Sequence, residues 1–305
     1  MPRDENERMM KMLILRNVST EADFDTMCKI ESTICGKKGH DCWQMHPGGL
    51  RYDRYLFGDG AMDLFNYGNL LYVGGEAVGY LLAYRKEGEF VLRLLPDREE
   101  CLEEALALAG GCFEDGASYT TTVNSLDIAQ CEALLRHGFR KEEEERYQAV
   151  LHLDHWEPNV AAADSEKISM LAQEDFPERI FHAAIPSGSE VTEEMFGMYL
   201  ASPAYQTALE YVVRDGQTND FMAFATWWVD EESKTALLEP AACLPAYRRR
   251  GVSRRLLTQG LIKLKCPGMK HVFVSTSAGH AEAILLYASL GFVKTGEANI
   301  YVKQK

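Results

Sequence analysis

Two pairs of landmarks recur along this chain of 305 residues at almost one spacing. Leu95-Pro96 returns as Leu244-Pro245, 149 positions later, and Gly138-Phe139 returns as Gly291-Phe292, 153 positions later. A repeat of that period means that one supersecondary plan is used twice, which favours two tandem domains over one large core. The apolar pattern between the landmarks agrees. In the second half, strand-like runs at 221–229 ("FMAFATWWV") and 235–244 ("TALLEPAACL") precede a helical spacing of Leu256, Leu257, Gly260, Leu261 and Leu264. A strand "HVFVST", a helix "AEAILLYASL" stopped by Gly291, and a strand "ANIYVK" follow. The first half runs in the same order: strands "NLLYV", "AVGYLLAY" and "EFVLRLLP", a helix from Arg98 to about Ala109, "YTTTV", a helix "IAQCEALLRHGF" and a strand "YQAVLHLD". The expectation is an α/β (α+β) chain of two domains, 1–155 and 165–305. The boundary falls in the low-pattern segment from Asp154 to Lys167.

Composition removes several classes. With 46% hydrophobic and 26% charged residues the chain is neither disordered nor fibrous. No stretch approaches the run of about 20 apolar residues that spans a bilayer, and the charged start "MPRDENERMM" is not a secretory signal, so a cytoplasmic location without membrane contact is expected. The eight cysteines are scattered and expected to be reduced. Cys35, His40, Cys42 and His46 fall close together, but neither a C-x2-C nor an H-x3-H pair is complete, so no metal is expected; Pro47, Gly48 and Gly49 read as the turn of a polar loop.

Against a formal net charge of -14, the stretch "PAYRRRGVSRRLL" places five arginines in thirteen residues. Arg248 to Ser253 has the form R-x-x-G-x-S between a strand and a helix. A glycine-bent loop can turn several N–H groups toward one point, and the first N–H groups of the next helix carry the positive end of its dipole, so the feature suits phosphate oxygens. Arginines add charge-assisted bonds. A nucleic-acid surface would need a broad basic footprint, which an acidic chain does not offer.

The arginine loop, followed after a strand by "HAEAILLYASLGF", resembles the GNAT superfamily of acetyl-CoA-dependent N-acyltransferases. The loop corresponds to the family's R/Q-x-x-G-x-G/A signature, with Ser253 in place of glycine or alanine. The later helix corresponds to N-x-x-A-x-x-L-Y ending in G-F, with His280 in place of asparagine and Ala283, Leu286, Tyr287, Gly291 and Phe292 matching. The two-copy layout is similar to tandem members such as the mycothiol synthase group. The resemblance implies two GNAT-like domains, each a mixed, mostly antiparallel twisted sheet flanked by helices. It implies acetyl-CoA (coenzyme A) as co-substrate, held by Cys243, Leu244, Arg248, Arg249, Arg250, Gly251, Val252, Ser253, Arg254 and His280. It also implies direct acetyl transfer to a small-molecule or peptide amine.

The same resemblance gives Tyr287 the role of protonating the leaving thiolate, and the Cys243 N–H that of an oxyanion-type donor. Tyr287 also fits a core position beside Ile284 and Leu290. Glu239 is the candidate base, because it precedes the loop on a strand whose alternation places it with Ala241 and Cys243; a rim salt bridge is its other reading. Trp227 and Trp228 alternate on the preceding strand, with core packing as their default. In the first copy the loop position holds Asp97, Glu99 and Glu100, and Leu134 and Asp127 stand opposite Tyr287 and His280. That copy is expected to be degenerate. A non-catalytic acyl-CoA-binding module is the alternative reading of the whole chain.

Overall fold

A computed structural model describes residues 12–40, 45–56, 64–143, 146–159, 166–182, 192–201, 205 and 208–305. It divides into two units, and neither is contiguous. The first comprises Met1–Asp41, Gly58–Arg146 and Thr295–Lys305, the second Cys42–Phe57 and Tyr147–Lys294.

The first unit is built on seven strands: β1 (Ile14–Asn17), β2 (Gly68–Val73), β3 (Glu76–Tyr84), β4 (Glu89–Leu94), β5 (Ser118–Asn124), β6 (Arg140–Glu143) and β14 (Ala298–Gln304). Their order is β1-β2-β3-β4-β5-β14-β6, antiparallel except for the parallel pair β4/β5. Its helices are α1 (Glu21–Lys38), the single turn α3 (Leu64–Tyr67), α4 (Leu102–Gly111) and α5 (Ile128–Arg136). Val78 and Leu81 of β3, Phe90 and Leu92 of β4, and Tyr119 and Val123 of β5 share one core with the apolar residues of α4 and α5. Phe90, Phe113, Tyr119 and Phe139 centre that core, with Phe113 and Tyr119 stacked at 4.7 Å. α1 starts at a capping box, where Thr20 and Asp23 exchange bonds with each other's backbone, and ends at Gly39 with φ of 65°.

The second unit repeats the plan with β7 (Arg146–His152), β8 (Glu166–Met170), β9 (Ala208–Asp215), β10 (Phe221–Asp230), β11 (Thr235–Cys243), β12 (His271–Ser277) and β13 (Val293–Lys294). The order is β13-β7-β12-β11-β10-β9-β8, with β11/β12 parallel and β8 to β11 successively antiparallel. α2 (Pro47–Leu56), α6 (Phe176–His182), α7 (Glu193–Ala201), α8 (Val252–Lys265) and α9 (Ala281–Ser289) are its helices. Both units are therefore mixed, mostly antiparallel sheets flanked by helices.

The repeat landmarks mark equivalent backbone. Gly138 and Gly291 both close a helix at positive φ, 83° and 96°, and the residues before those helices, Asp127 and His280, share φ/ψ of -82°/65° and -88°/66°. The contiguous division at 155–165 does not describe the sheets. The strand "YQAVLHLD" that ends the first repeat becomes β7 of the second sheet, pairing with β13, and the strand that ends the chain becomes β14 of the first sheet, between β5 and β6. A period-2 pattern fixes which face of a strand is buried but not which sheet it joins.

The segment read as a polar loop at Pro47 is a helix instead. Proline suits the first helical position, and a Cβ on Gly48 would stand 2.3 Å from the Cβ of Trp228, so the glycines permit close approach rather than a turn. His46, fully buried, accepts from the Gly48 N–H and faces Thr235 at 3.0 Å, and burial lowers its pKa to about 4. Cys42 lies outside the described residues; Cys35 is buried in α1 beside Glu31. Among the described residues no group of three or more His, Cys, Asp or Glu is placed to hold a metal ion, and no helix is long and apolar enough to cross a membrane.

The adjacent tryptophans of β10 are both fully buried, on opposite faces. Trp227 meets α8 at Gly260, where an added Cβ would lie 2.3 Å from two ring carbons. Glycine to alanine inside a helix ordinarily stabilises by about 1 kcal/mol. At Gly260 overpacking should reverse the sign, and Gly260→Ala is expected to lower stability by about 1–3 kcal/mol in chemical denaturation. A stabilised variant would mean that α8 does not lie this close to the sheet.

Candidate functional site

Strand β11 is paired unequally on its two sides. It lies beside β10 from Thr235 to Cys243, whereas its parallel register with β12 covers only Thr235–Leu237 against His271–Phe273. Beyond Leu237 the strands part. The Leu244 N–H donates to Met222 O at 2.9 Å. Neighbouring residues of an antiparallel pair alternate in direction, so the N–H groups of Cys243 and Ala241 turn away from β10, toward the side that β12 has left.

The register with β10 also shifts here. Ala225 opposes Ala241 but Trp227 opposes Leu238, so Glu239 and Pro240 together face Thr226. This bulge overturns the expected alternation. Leu238 and Ala241 face one core although they are three positions apart, and Glu239 does not share their face by simple counting. The Glu239 side chain is exposed, and its carbonyl accepts from Trp228 Nε1 at 2.6 Å.

After β11 a short 3-10 turn, Pro245–Tyr247, leads into the arginine loop. Arg249 and Gly251 both have positive φ, 63° and 79°. Gly251 is the N-cap of α8, and no side chain caps that helix. The first N–H groups of α8 therefore remain available to an external acceptor.

The five arginines divide. Arg248 Nε donates to Cys243 O at 3.0 Å. Arg255 grips Glu166 through both nitrogens and reaches Arg250 O at 2.8 Å, while Arg254 Nη2 lies 3.4 Å from Ser289 O. These three hold the loop in shape. The Arg249 and Arg250 side chains are exposed and make no hydrogen bond or ion pair among the described residues, although the Arg250 guanidinium lies 5.5 Å over the Tyr247 ring, which leaves both for an anion. The sequence reading missed the Arg255–Glu166 anchor, since no periodic signal joins residues 89 positions apart. Leu244, with its N–H committed to Met222, can offer a ligand only its other atoms.

Tyr287 is 8% exposed and lies in the core cluster with Leu256 and Phe292. Burial, then the negative charge of Glu239, pushes its pKa up to about 12, so the hydroxyl stays protonated at neutral pH. Its hydroxyl makes no hydrogen bond among the described residues. Cys243, half-buried, has its thiol pKa raised by burial against the opposing bond from Ser253, which makes the thiol a poor nucleophile. His280 is exposed at the start of α9, with Nδ1 3.2 Å from Thr276 Oγ1. Parted strand, uncapped helix and buried hydroxyl thus belong to one unit, with Cys243 and Tyr287 at the same core and Ser253 bonded to the Cys243 thiol.

Residues 166–292 match the family model of the acetyltransferase (GNAT) family. That span is similar in sequence to GNAT acetyltransferases. Three solved structures are similar to this chain in fold over 96% of its length. A GNAT-family acetyltransferase from Colwellia psychrerythraea has a TM-score of 0.62 at 13% identity, covering 96% of this chain and 100% of that one. A tandem GNAT protein from the clavulanic acid biosynthesis pathway has a TM-score of 0.58 at 12% identity, covering 96% and 98%. A GCN5-related N-acetyltransferase from Sphaerobacter thermophilus has 0.57 at 15% identity, covering 96% and 95%. At such identities the likeness concerns fold, and it extends a GNAT-like fold to both units. Comparison with curated protein sequences returns no match.

The raised Tyr287 pKa has a consequence for stability. Below pH 10 the tyrosine is protonated in both folded and unfolded chains; above it the unfolded chain ionises first, so stability falls until the folded group also titrates. The slope is about 1.4 kcal/mol per pH unit, giving a loss of about 2–3 kcal/mol between pH 10 and about 12. Urea titrations across that range should show a steeper decline for the native chain than for Tyr287→Phe. Parallel declines would place the hydroxyl in water.

Proposed function

We propose that the second unit is an acetyl-CoA-dependent N-acyltransferase that moves an acetyl group directly to an amine. The observation that carries this reading is the parting of β11 from β12 beside an uncapped, arginine-flanked helix start. It leaves backbone donors at two points along one cleft. The GNAT assignment supports acyl transfer, and the residues present fit the coenzyme. Gly251, Val252, Ser253 and the first turn of α8 would hold its pyrophosphate, with Arg249 and Arg250 adding charge.

Bound there, acetyl-CoA supplies an acyl thioester, a carbonyl already activated toward an amine. The chain's own groups then have three tasks. The Cys243 N–H donates to the carbonyl oxygen as charge grows on it. Tyr287 gives its hydroxyl proton to the sulfur as the C–S bond breaks, a role that suits a group kept protonated. Glu239, exposed near Tyr287, takes the proton that the amine sheds on forming the new C–N bond, directly or through water.

Release of free thiol from acetyl-CoA across a panel of amines tests the reaction. Coenzyme binding without thiol release for any amine would favour the non-catalytic module. With an amine in hand, Tyr287→Phe is expected to lower turnover about 10²-fold while leaving acetyl-CoA affinity nearly unchanged. Full activity in that variant would return the proton to solvent. Glu239→Gln is expected to alter the acidic limb of the rate profile, with the deficit shrinking as pH approaches the amine's own pKa. A profile parallel to the native one throughout would remove Glu239 from the chemistry.

A further inference from the structure

The first unit holds a cavity of about 510 Å³ bordered by the end of β4 and the start of α5. Leu95, Pro96 and Asp127 line it, the residues matched by position to Leu244, Pro245 and His280 of the second unit. The parallel strands part here too, since β4 and β5 are in register only at Glu89 and Thr120. Its walls are apolar, formed among others by Leu92, Leu102 and Ile128, and Ile128 at the rim is 64% exposed.

The polar groups of the lining are unequally committed. Lys38 is ion-paired with Asp127, and Arg93 with the buried Glu31 at 2.7 Å. Gln130 spends its amide N–H on Leu92 O at 3.2 Å. His40 meets Lys38 O through Nδ1 at 3.0 Å and has Nε2 3.4 Å from Asp127 Oδ1. The uncommitted charged groups are carboxylates. The Glu99 side chain makes no hydrogen bond or ion pair among the described residues, and that of Glu132 has only a 3.7 Å contact with Arg136. Asp127 is 8% exposed; its Oδ1 is paired with Lys38 and lies 3.4 Å from His40 Nε2, while its Oδ2 is buried with no hydrogen-bond partner among the described residues. Lys38 and Arg93 are both ion-paired and the exposed carboxylates Glu99 and Glu132 add negative charge, the reverse of the arginine loop.

We infer that this cavity binds a small molecule carrying a protonated amine on an apolar body. The apolar walls bury the body, and the acceptors at the rim and floor take the donors of the ammonium group. A phosphate-bearing ligand is disfavoured, because it would meet Glu99 where the second unit offers Gly251 and arginines. The inference is independent of acyl transfer in the second unit.

Titration calorimetry on the full chain at pH 7 tests it, with n-octylamine, n-octanoate and coenzyme A as probes, repeated on Glu99→Gln and Ile128→Trp. Both side chains are exposed, so neither change reaches the core. Octylamine is expected to bind at one site in this unit, with octanoate weaker by about tenfold or more. Each substitution should weaken octylamine by about tenfold and leave coenzyme A unchanged. Absence of octylamine binding, octanoate binding as tightly, or octylamine affinity equal in all three proteins would overturn the assignment. Loss of coenzyme A binding in these variants would do so as well, by making the cavity an anion site.

Discussion

Backbone donors in a sheet normally find their partner on the adjacent strand, and the second unit depends on a place where that partner is withdrawn. β11 is paired with β10 along its length, through a bulge, while β12 accompanies it for three residues only. The N–H groups of Ala241 and Cys243 are left facing the gap, and the uncapped start of α8 follows within a few residues. In a chain of net charge -14, two exposed arginines and the free N–H groups of a helix start thus stand together after β11. The supports are rigid. Trp227 lies against Gly260, Arg255 ties the loop carbonyl of Arg250 to Glu166 of β8, and Arg248 ties the loop back to Cys243.

The two units show how far one backbone plan can be separated from its chemistry. Asp127 and His280 occupy nearly the same φ/ψ before equivalent helices, and Gly138 and Gly291 close those helices in the same way. Yet Asp127 is locked to Lys38, with His40 3.4 Å away, while His280 is exposed beside Thr276. Burial alone would raise the Asp127 pKa; the His40 contact and the charges of Lys38 and Arg93 outweigh it and hold the carboxyl ionised. Where the second unit turns through Gly251, the first has the short turn Glu99–Cys101.

Much of this plan is legible in the sequence because it is local. Strand alternation, the helical spacing of Leu256 to Leu264, and glycines at helix ends are properties of neighbouring residues, and the structure returns them within a few positions. What was not legible is non-local. The bulge at Glu239–Pro240 needs the partner strand to define it, and it removes the alternation that aligned Glu239 with Cys243. Pro47-Gly48-Gly49 has turn composition but forms a helix, because Trp228 and Leu237 demand a surface without side chains. The Arg255–Glu166 pair turns one arginine of an apparent anion site into a brace, visible only when residues far apart in sequence meet.

The exchange of terminal strands sets an order of assembly. β14 stands between β5 and β6, so the first sheet lacks an interior strand until residues 298–304 have been made. The second sheet needs β7 and β13, both complete by Lys294. During synthesis from the N-terminus, the second unit's sheet has all its strands before the first unit's sheet does. Until β14 is in place, β5 and β6 carry open edges of the kind that invite pairing with other chains.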